Sequence, residues 1–335
     1  MATRGISMFD SKPRDASGRS GGQDGGMIRI RMNGSDWAIM GFLALLWGGA
    51  FFCIGVAVRH VEPFTYVWLR LTLAALAMWA LLWFRRQPLG LPREAWGAIL
   101  LLALLNNALP FALFGWAQTH IASGLASILN ATTPIWGVIV AHVFTQDERI
   151  TPAKIAGVSL GFGGVALMIG PELFHADGNS VLAELACVAA SLCYALAGVW
   201  ARRFRRMGVS PISVTTGQLT AGAVMMFPIA LLVDPPLIAN WPPVEAWAAI
   251  IALAVVCTAL GYILYFRLID HAGATNALLV TLLVPPTAII LGALFLNEVL
   301  DPRDFAGLAL IAVGLAAIDG RLFSLLKARR LPKAA

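Results

Sequence analysis

Ten long apolar stretches follow one another along this 335-residue chain, and they restrict its fold more than any other feature. Each is close to the ~20 residues that an α-helix needs to cross ~30 Å of hydrocarbon, and none alternates as the strands of a transmembrane barrel do. Only 13% of the residues are charged, against about 25% in soluble domains. We therefore predict an all-α integral membrane protein. Its ten predicted transmembrane helices cover residues 37–58, 64–84, 95–117, 121–144, 153–170, 181–201, 211–233, 246–266, 273–296 and 305–323.

Basic residues are distributed unevenly between the loops that join these helices. Lys and Arg in short loops stay on the cytoplasmic side of a membrane. If the chain begins inside, nearly all of its 24 Lys and Arg residues fall on that side, whereas Arg59 and Arg303 lie outside and Arg70 lies within a helix. We therefore predict that both termini are cytoplasmic. Residues 1–35 are predicted to be a disordered tail, and residues 321–335 a basic tail.

The net charge of +6 follows from this topology. The basic residues are not interleaved with aromatic residues, so the sequence predicts contact with the lipid bilayer and no nucleic-acid partner. The four cysteines all fall within predicted helices and form no CxxC pair, which argues against a disulfide framework or a zinc site. We predict no cofactor, and the sequence is compatible with a monomer and with a homodimer.

The second half of the chain repeats the first. A shift of 148 residues aligns Arg70 with Gln218, and a shift of 150 aligns Glu148 with Glu298, each followed by a proline and two glycines at the same spacing. Helices one to five therefore correspond to helices six to ten. Because five is odd, the second copy enters the membrane from the opposite side, as an inverted repeat. The two predicted five-helix repeats are residues 36–170 and residues 180–320.

Several of these stretches resemble a known group of membrane proteins. They are Trp47-Gly48-Gly49-Ala50-Phe51 in helix one, Pro63 to Arg70 in helix two, Ala122 to Pro134 in helix four, and the patterns that begin at Glu148 and Glu298. On these residues the chain resembles the ten-helix EamA-type permeases of the drug/metabolite transporter (DMT) superfamily, over residues 37–320.

The resemblance implies a secondary transporter of the bacterial inner membrane that exports amino acids or related small metabolites by alternating access. Within that superfamily the chain resembles the YddG-type exporters of aromatic and hydrophobic amino acids. Other members carry nucleotide sugars or cationic drugs, and the residues quoted do not separate these substrates. Helix one lacks the deep glutamate that the small multidrug branch of the superfamily uses for coupling.

Polar residues within the apolar stretches are the candidates for a substrate-binding central cavity, because polar groups are costly in the bilayer and usually face water or another helix. Arg70 lies about 10 Å from the start of helix two at the helical rise of 1.5 Å per residue. Either it attracts a substrate carboxylate, or it braces neighbouring helix carbonyls. The other candidates for the cavity lining are Trp47, Asn107, Asn130, Tyr194, Tyr262 and Tyr265.

These candidates suit one kind of ligand, but helix packing can also explain their presence. Asn130, Asn107 and the two tyrosines of helix eight lie on helix faces with further polar or aromatic residues, and such faces, brought together, suit a zwitterion with an apolar side chain. Trp47 and Tyr194 lie near the middle of helices one and six, although Trp and Tyr prefer the membrane interface. Small polar residues also join transmembrane helices to one another, so packing is the alternative.

Pro134 in helix four and Pro285 in helix nine occupy matching positions in the two repeats. Each removes a backbone hydrogen bond, and matched breaks are typical of hinges for alternating access. A static kink is the alternative. The acidic residues near helices, Asp36, Glu94, Glu184 and Asp319, lie close to helix ends, so proton coupling and facilitated export or exchange both stay open. His142, near the inner end of helix four, is interpreted as an interface residue.

Enzymatic alternatives are weak. The GxSxG pattern from Gly157 to Gly161 and the GxGxxA pattern that begins at Gly161 both require a strand before a turn, which a continuous apolar helix does not provide. His142 and Asp147 have the spacing of membrane acyltransferases, but the repeat has Ala293 in place of the histidine. The chain contains no phosphate-binding loop for ATP and no rings of charge or filter loop typical of a channel. We predict a protein that is not an enzyme.

Overall fold

The computed structural model describes residues 33–145, 151–169, 179–235, 241–272, 277 and 280–319. Within these ranges all of the regular structure is helical, which confirms the predicted all-α class. Ten helices are described: α1 Gly34–Ala57, α2 Pro63–Phe84, α3 Arg93–Ala117, α4 Ser123–Phe144, α5 Pro152–Ile169, α6 Asn179–Arg206, α7 Pro211–Val233, α8 Val244–Ile269, α9 Val280–Leu296 and α10 Pro302–Asp319.

The first eight helices are long and apolar enough to cross a membrane. Helix α9 is apolar but has 17 described residues, and α10 has 18 residues with Arg303 and Asp304 in its first turn. Many large apolar side chains, among them Trp83, Phe84 and Leu232, are exposed on the outside of the bundle. Such a surface is unfavourable in water and suits lipid. The predicted tails and Glu148 lie largely outside the described residues.

The two halves of the chain are interleaved. Helix α2 packs against α7, and α5 packs against α10, so each of these pairs joins corresponding helices of the two repeats. Helix α1 packs against α9, and α4 packs in the corresponding way against α6. Each buried hydrophobic cluster of the described residues combines side chains from both halves, so the core lies between the repeats.

Helices α5 and α10 cross as an antiparallel pair, and glycines of both helices lie at the point of closest approach. A Cβ atom on Gly157 would lie 2.5 Å from the carbonyl oxygen of Gly314, and one on Gly164 would lie 2.6 Å from that of Gly307. Small residues at such a crossing let two helix backbones approach closely. Since Gly157 and Gly164 correspond to Gly307 and Gly314, the corresponding helices are antiparallel, as an inverted repeat requires.

The third helix of each half departs from regular α geometry. A π-helical turn occupies Leu104–Ala108 in α3 and Ala252–Leu260 in α8. Such turns insert an extra residue, re-aim the side chains that follow and occur often at functional sites. Helix α4 consists of two segments, Ser123–Asn130 and Thr133–Phe144, joined by a turn at Ala131 and Thr132.

Candidate substrate site in the centre of the bundle

Arg70 lies inside the bundle with 7% of its surface exposed. Its Nε donates a 3.0 Å hydrogen bond to the hydroxyl of Thr258 on α8, and its guanidinium carbon lies 3.5 Å from the centre of the Phe111 ring on α3. The Thr258 hydroxyl donates in turn to the carbonyl of Leu253, five residues earlier in the π-helical turn. Among the described residues no carboxylate pairs with Arg70. Its positive charge therefore has only neutral partners.

A network of amide and phenol groups lies one helical turn away on the same helices α3 and α8. The amide nitrogen of Asn106 donates at 3.0 Å both to Oε1 of Gln218 on α7 and to the hydroxyl of Tyr262. The Tyr262 hydroxyl donates at 3.2 Å to Oδ1 of Asn107. Asn107 is fully buried, and its amide nitrogen has no hydrogen-bond partner among the described residues. We call these four residues the amide network.

Aromatic rings line the same region. Phe114 stacks on Tyr194 with ring centroids 6.1 Å apart and meets Phe51 edge-on at 5.3 Å. Tyr194 and Tyr262 both pack against the buried cluster that contains Phe111, the ring that faces the Arg70 guanidinium. The site therefore combines one cation, amide and hydroxyl groups, and an aromatic wall, as small-molecule sites commonly do.

A cavity of about 700 Å³ opens between α2, α7 and α8 at the end of the bundle that carries Arg85 and Arg267. It extends inward along Thr215 and Phe266 as far as Tyr262 of the amide network. Its volume falls within the range of small-molecule pockets, about 300 to 1,000 Å³. We call this end of the bundle the Arg85 end.

At the opposite end, carboxylates join helix ends to one another. Glu298, just after α9, accepts hydrogen bonds from the backbone N–H groups of Ser123 and Gly124 at 2.9 and 3.3 Å, and from the Ser123 hydroxyl at 2.8 Å. Asp234, at the end of α7, accepts a 2.6 Å bond from the backbone N–H of Thr65 at the start of α2. A carboxylate at a helix N-terminus satisfies free N–H groups and complements the helix dipole. The bundle thus has a cavity that is open at the Arg85 end, and helix ends joined by carboxylate hydrogen bonds at the opposite end.

The sequence profile of the EamA-like transporter family matches this chain twice, at residues 36–170 and 181–318. The chain belongs to the EamA-like transporter family. It is therefore a multi-pass membrane transporter of the DMT superfamily and not an enzyme, and it moves a small molecule. The two matched segments nearly coincide with the two predicted repeats.

Several proteins are similar to this EamA-family chain over most of its length. The "Uncharacterized transporter YoaV" of Bacillus subtilis (strain 168) is 23% identical, covering 82% of this chain and 92% of its own. A "Probable terminal-alkyne amino-acid exporter" of Streptantibioticus cattleyicolor is 26% identical, covering 87% of this chain and 95% of its own. A solved crystal structure of a protein that is 22% identical covers 89% of this chain and 100% of its own, with a TM-score of 0.62, so the two share a fold.

The structure brings some of the predicted site residues together and leaves others apart. Arg70, Asn107 and Tyr262 meet around α3 and α8, and Tyr194 stacks on Phe114 of α3. Trp47 instead packs on Tyr265, with ring centroids 5.1 Å apart, where α1 meets α8. Their roles in substrate binding stay predictions.

Asn130 makes no hydrogen bond to the amide network among the described residues. It ends the first segment of α4, where its side-chain oxygen is 3.4 Å from the hydroxyl of Thr133, and no hydrogen bond among the described residues connects it to Arg70. Its place in the cavity lining also stays a prediction.

Asn106 was not among the predicted site residues, although it stands beside Asn107 in an apolar stretch. Consecutive residues of a regular helix point about 100° apart, so only one of the pair was expected to face the site. The π-helical turn Leu104–Ala108 brings both side chains to the tyrosine of α8. The adjacent pair of asparagines was the signal available in the sequence.

The two predicted hinge prolines have different surroundings. Pro134 lies in the first turn of the second segment of α4. The carbonyl of Asn130, which a regular helix would pair with residue 134, accepts a 2.8 Å bond from the Thr133 hydroxyl. Pro285 lies within a continuous helix α9 and is buried. A helix break thus accompanies the proline in the first repeat only, and the hinge roles stay predictions.

Two carboxylates near helix starts are more buried than their positions suggested. Asp36 in the first turn of α1 is 3% exposed and lies 3.8 Å from Nδ1 of His271, and Glu184 on α6 is also 3% exposed. The two residues correspond under the 148-residue shift. His142 lies exposed near the end of α4, as predicted for an interface residue, and Asp147 lies outside the described residues.

Proposed function

We propose that this chain exports amino acids with aromatic or hydrophobic side chains, and related small metabolites, across the bacterial inner membrane by alternating access. The observation that carries the proposal is Arg70, a buried cation that has no carboxylate partner among the described residues and lies beside aromatic rings. A charge held in the membrane is costly unless it is paired. A substrate carboxylate provides that partner.

The surroundings of Arg70 suit the rest of an amino acid. The rings of Phe111, Phe114 and Tyr194 can contact an apolar side chain, and the oxygens of the amide network can accept hydrogen bonds from an ammonium group. The exporter of Streptantibioticus cattleyicolor is named for an amino-acid substrate, which supports the same class for this chain.

The open end of the site fits loading from the cytoplasm. The Arg85 end carries Arg85, Arg267 and the four arginines at the end of α6, and this excess of positive charge favours the cytoplasmic side for that end. A cytoplasmic solute then enters the cavity and meets Tyr262 before Arg70. Release to the other side requires the helix ends joined by Glu298 and Asp234 to separate while the cavity closes.

The test is uptake into proteoliposomes of radiolabelled amino acids, compared with a nucleotide sugar and a cationic dye. We expect saturable, stereoselective uptake of aromatic or hydrophobic amino acids that is lost in Arg70→Ala protein of normal yield and monodispersity. Uptake of the sugar or the dye alone would favour the other substrate classes of the superfamily. Repeating the measurement with an imposed pH gradient determines whether protons are coupled, and non-saturable flux without stereoselectivity would indicate a channel.

A further inference from the structure

Gln218 and Arg70 occupy the same place in the two repeats. Each is the eighth residue of a helix that begins with proline, counted from Pro63 in α2 and from Pro211 in α7. Helices α2 and α7 pack against each other and begin at opposite ends of the bundle. The two side chains therefore lie at matching depths, about 10 Å from opposite ends at 1.5 Å per residue. One is a cation and the other a neutral amide.

Gln218 belongs to the central site. It is 2% exposed, and its Oε1 accepts the hydrogen bond from Asn106 that links α7 to α3. Through Asn106 it reaches Tyr262, where the open cavity ends. A solute that enters at the Arg85 end therefore passes the depth of Gln218 before it reaches Arg70.

Among the described residues, no second lysine or arginine is buried with Arg70. The buried acidic residues Asp36, Glu184 and Asp304 lie within the first two turns of α1, α6 and α10, away from the middle of the bundle. The central site thus carries a single positive charge over the described residues.

We propose that Gln218 sets the charge limit of the site: by placing a neutral amide where the repeat offers a second cationic position, it selects solutes with a single carboxylate and excludes dicarboxylates and phosphate esters. This inference rests on the proposed function and specifies its substrate class. It makes Gln218 a specificity-determining residue.

The physical basis is charge balance in a medium of low dielectric constant. One carboxylate neutralises Arg70, and the unpartnered amide nitrogen of Asn107 is a further donor in the site. The Oε1 of Gln218 and the Oδ1 of Asn107 already accept hydrogen bonds from Asn106 and Tyr262, and an amide oxygen cannot donate to a second negative charge. Without a cation, a buried second charge is strongly disfavoured.

The experiment compares four solutes that share a phenyl group: phenylalanine, 3-phenylpropionate with one carboxylate, benzylmalonate with two, and phenylalaninamide with none. Initial uptake is measured in proteoliposomes with the wild-type chain, Gln218→Arg and Gln87→Arg. Gln87 is exposed at the mouth of the same cavity, so its substitution adds an equal charge outside the central site. Ligand-dependent thermal stabilisation in detergent gives a second measure of binding.

We expect the wild type to prefer 3-phenylpropionate to benzylmalonate by about tenfold or more, the size of effect that an unpaired charge produces in a buried site. Gln218→Arg should remove this preference, and Gln87→Arg should keep it. A wild type that accepts both anions equally overturns the inference without any variant. Phenylalanine uptake with an unchanged anion preference in folded Gln218→Arg protein overturns the inference alone. Absence of uptake of all four solutes by the wild type overturns the proposed function together with the inference.

Discussion

The Nε of Arg70 donates a 3.0 Å hydrogen bond to the hydroxyl of Thr258, and this bond joins the first repeat to the second in the middle of the bundle. The hydroxyl is held in place because its own proton bonds the carbonyl of Leu253 in the π-helical turn of α8. Its lone pair is then free for Arg70. The orientation of the guanidinium thus depends on irregular backbone in the opposite half of the chain.

We predict that Thr258→Val weakens substrate binding while the protein still folds. The substitution keeps the shape of the side chain and removes the oxygen that orients Arg70. A hydrogen bond to a charged group contributes about 1.5 kcal/mol or more, so the KM for a carboxylate substrate should rise about tenfold. The change in KM is measured from uptake kinetics in proteoliposomes.

Thr220→Val is the matched control for this change. Thr220 also bridges two helices, because it accepts a 3.0 Å bond from Nε1 of Trp79, but that contact is exposed on the outside of α2 and α7. The KM of the Thr220→Val protein should stay near that of the wild type. Equal effects of the two substitutions would show that Thr258 acts through helix packing and not through Arg70.

The glycine crossing of α5 and α10 predicts a position-dependent loss of stability. Gly157→Ala places a methyl group 2.5 Å from the carbonyl oxygen of Gly314, so the helices must separate. Overpacking of this kind costs about 1 to 3 kcal/mol, and the melting temperature in detergent should fall by several degrees. Gly163→Ala, on the same helix with nothing within 4 Å of its Cβ, should melt like the wild type. A normal melting temperature for Gly157→Ala would contradict the close crossing.

The carboxylate of Glu298 predicts a charge-dependent contribution at the start of α4. Glu298→Gln keeps the size of the side chain but removes the charge that faces the N–H groups of Ser123 and Gly124. Helix caps of this kind contribute about 1 kcal/mol, so thermal stability should fall slightly. Glu62→Gln is the comparison, since Glu62 precedes α2 without a side-chain capping bond. The capping role is wrong if both variants retain wild-type stability.

The break in α4 predicts a change in turnover without a loss of stability. Pro134→Ala restores an N–H that can bond the carbonyl of Asn130, in place of the Thr133 hydroxyl, and so favours a continuous helix. If the break is a hinge, the rate of uptake should fall while the melting temperature stays equal or rises. Pro228→Ala serves as the control, because Pro228 lies exposed within α7 and Ala80 occupies its place in the first repeat. A wild-type uptake rate in the Pro134→Ala protein would rule out the hinge role and indicate a static kink.

Much of the fold followed from local patterns. Hydropathy alone placed the helices within a few residues, because insertion of a segment into a bilayer depends on its own length and composition. The repeated glycine spacing also indicated where α5 and α10 correspond, and those glycines form the observed crossing.

The site was only partly predictable. Arg70, Asn107 and Tyr262 could be chosen because polar groups in apolar stretches are rare and costly. Asn130, Trp47 and Tyr265 were predicted on the same grounds, but none of them hydrogen-bonds to Arg70 or to the amide network among the described residues. A helical face indicates which residues share a direction, but it does not say which neighbouring helix they meet.

The sequence by itself determined the class of protein, the approximate helix positions, the duplication and the one charged residue deep in a span, since each of these is a property of a short segment or of a fixed spacing. Only the tertiary structure decided that α3 and α8 contain π-helical turns, that Asn106 and Gln218 join the network at Tyr262, and that the cavity opens at the Arg85 end. These features depend on contacts between helices far apart in the chain, where many weak packing and hydrogen-bond energies are balanced at once.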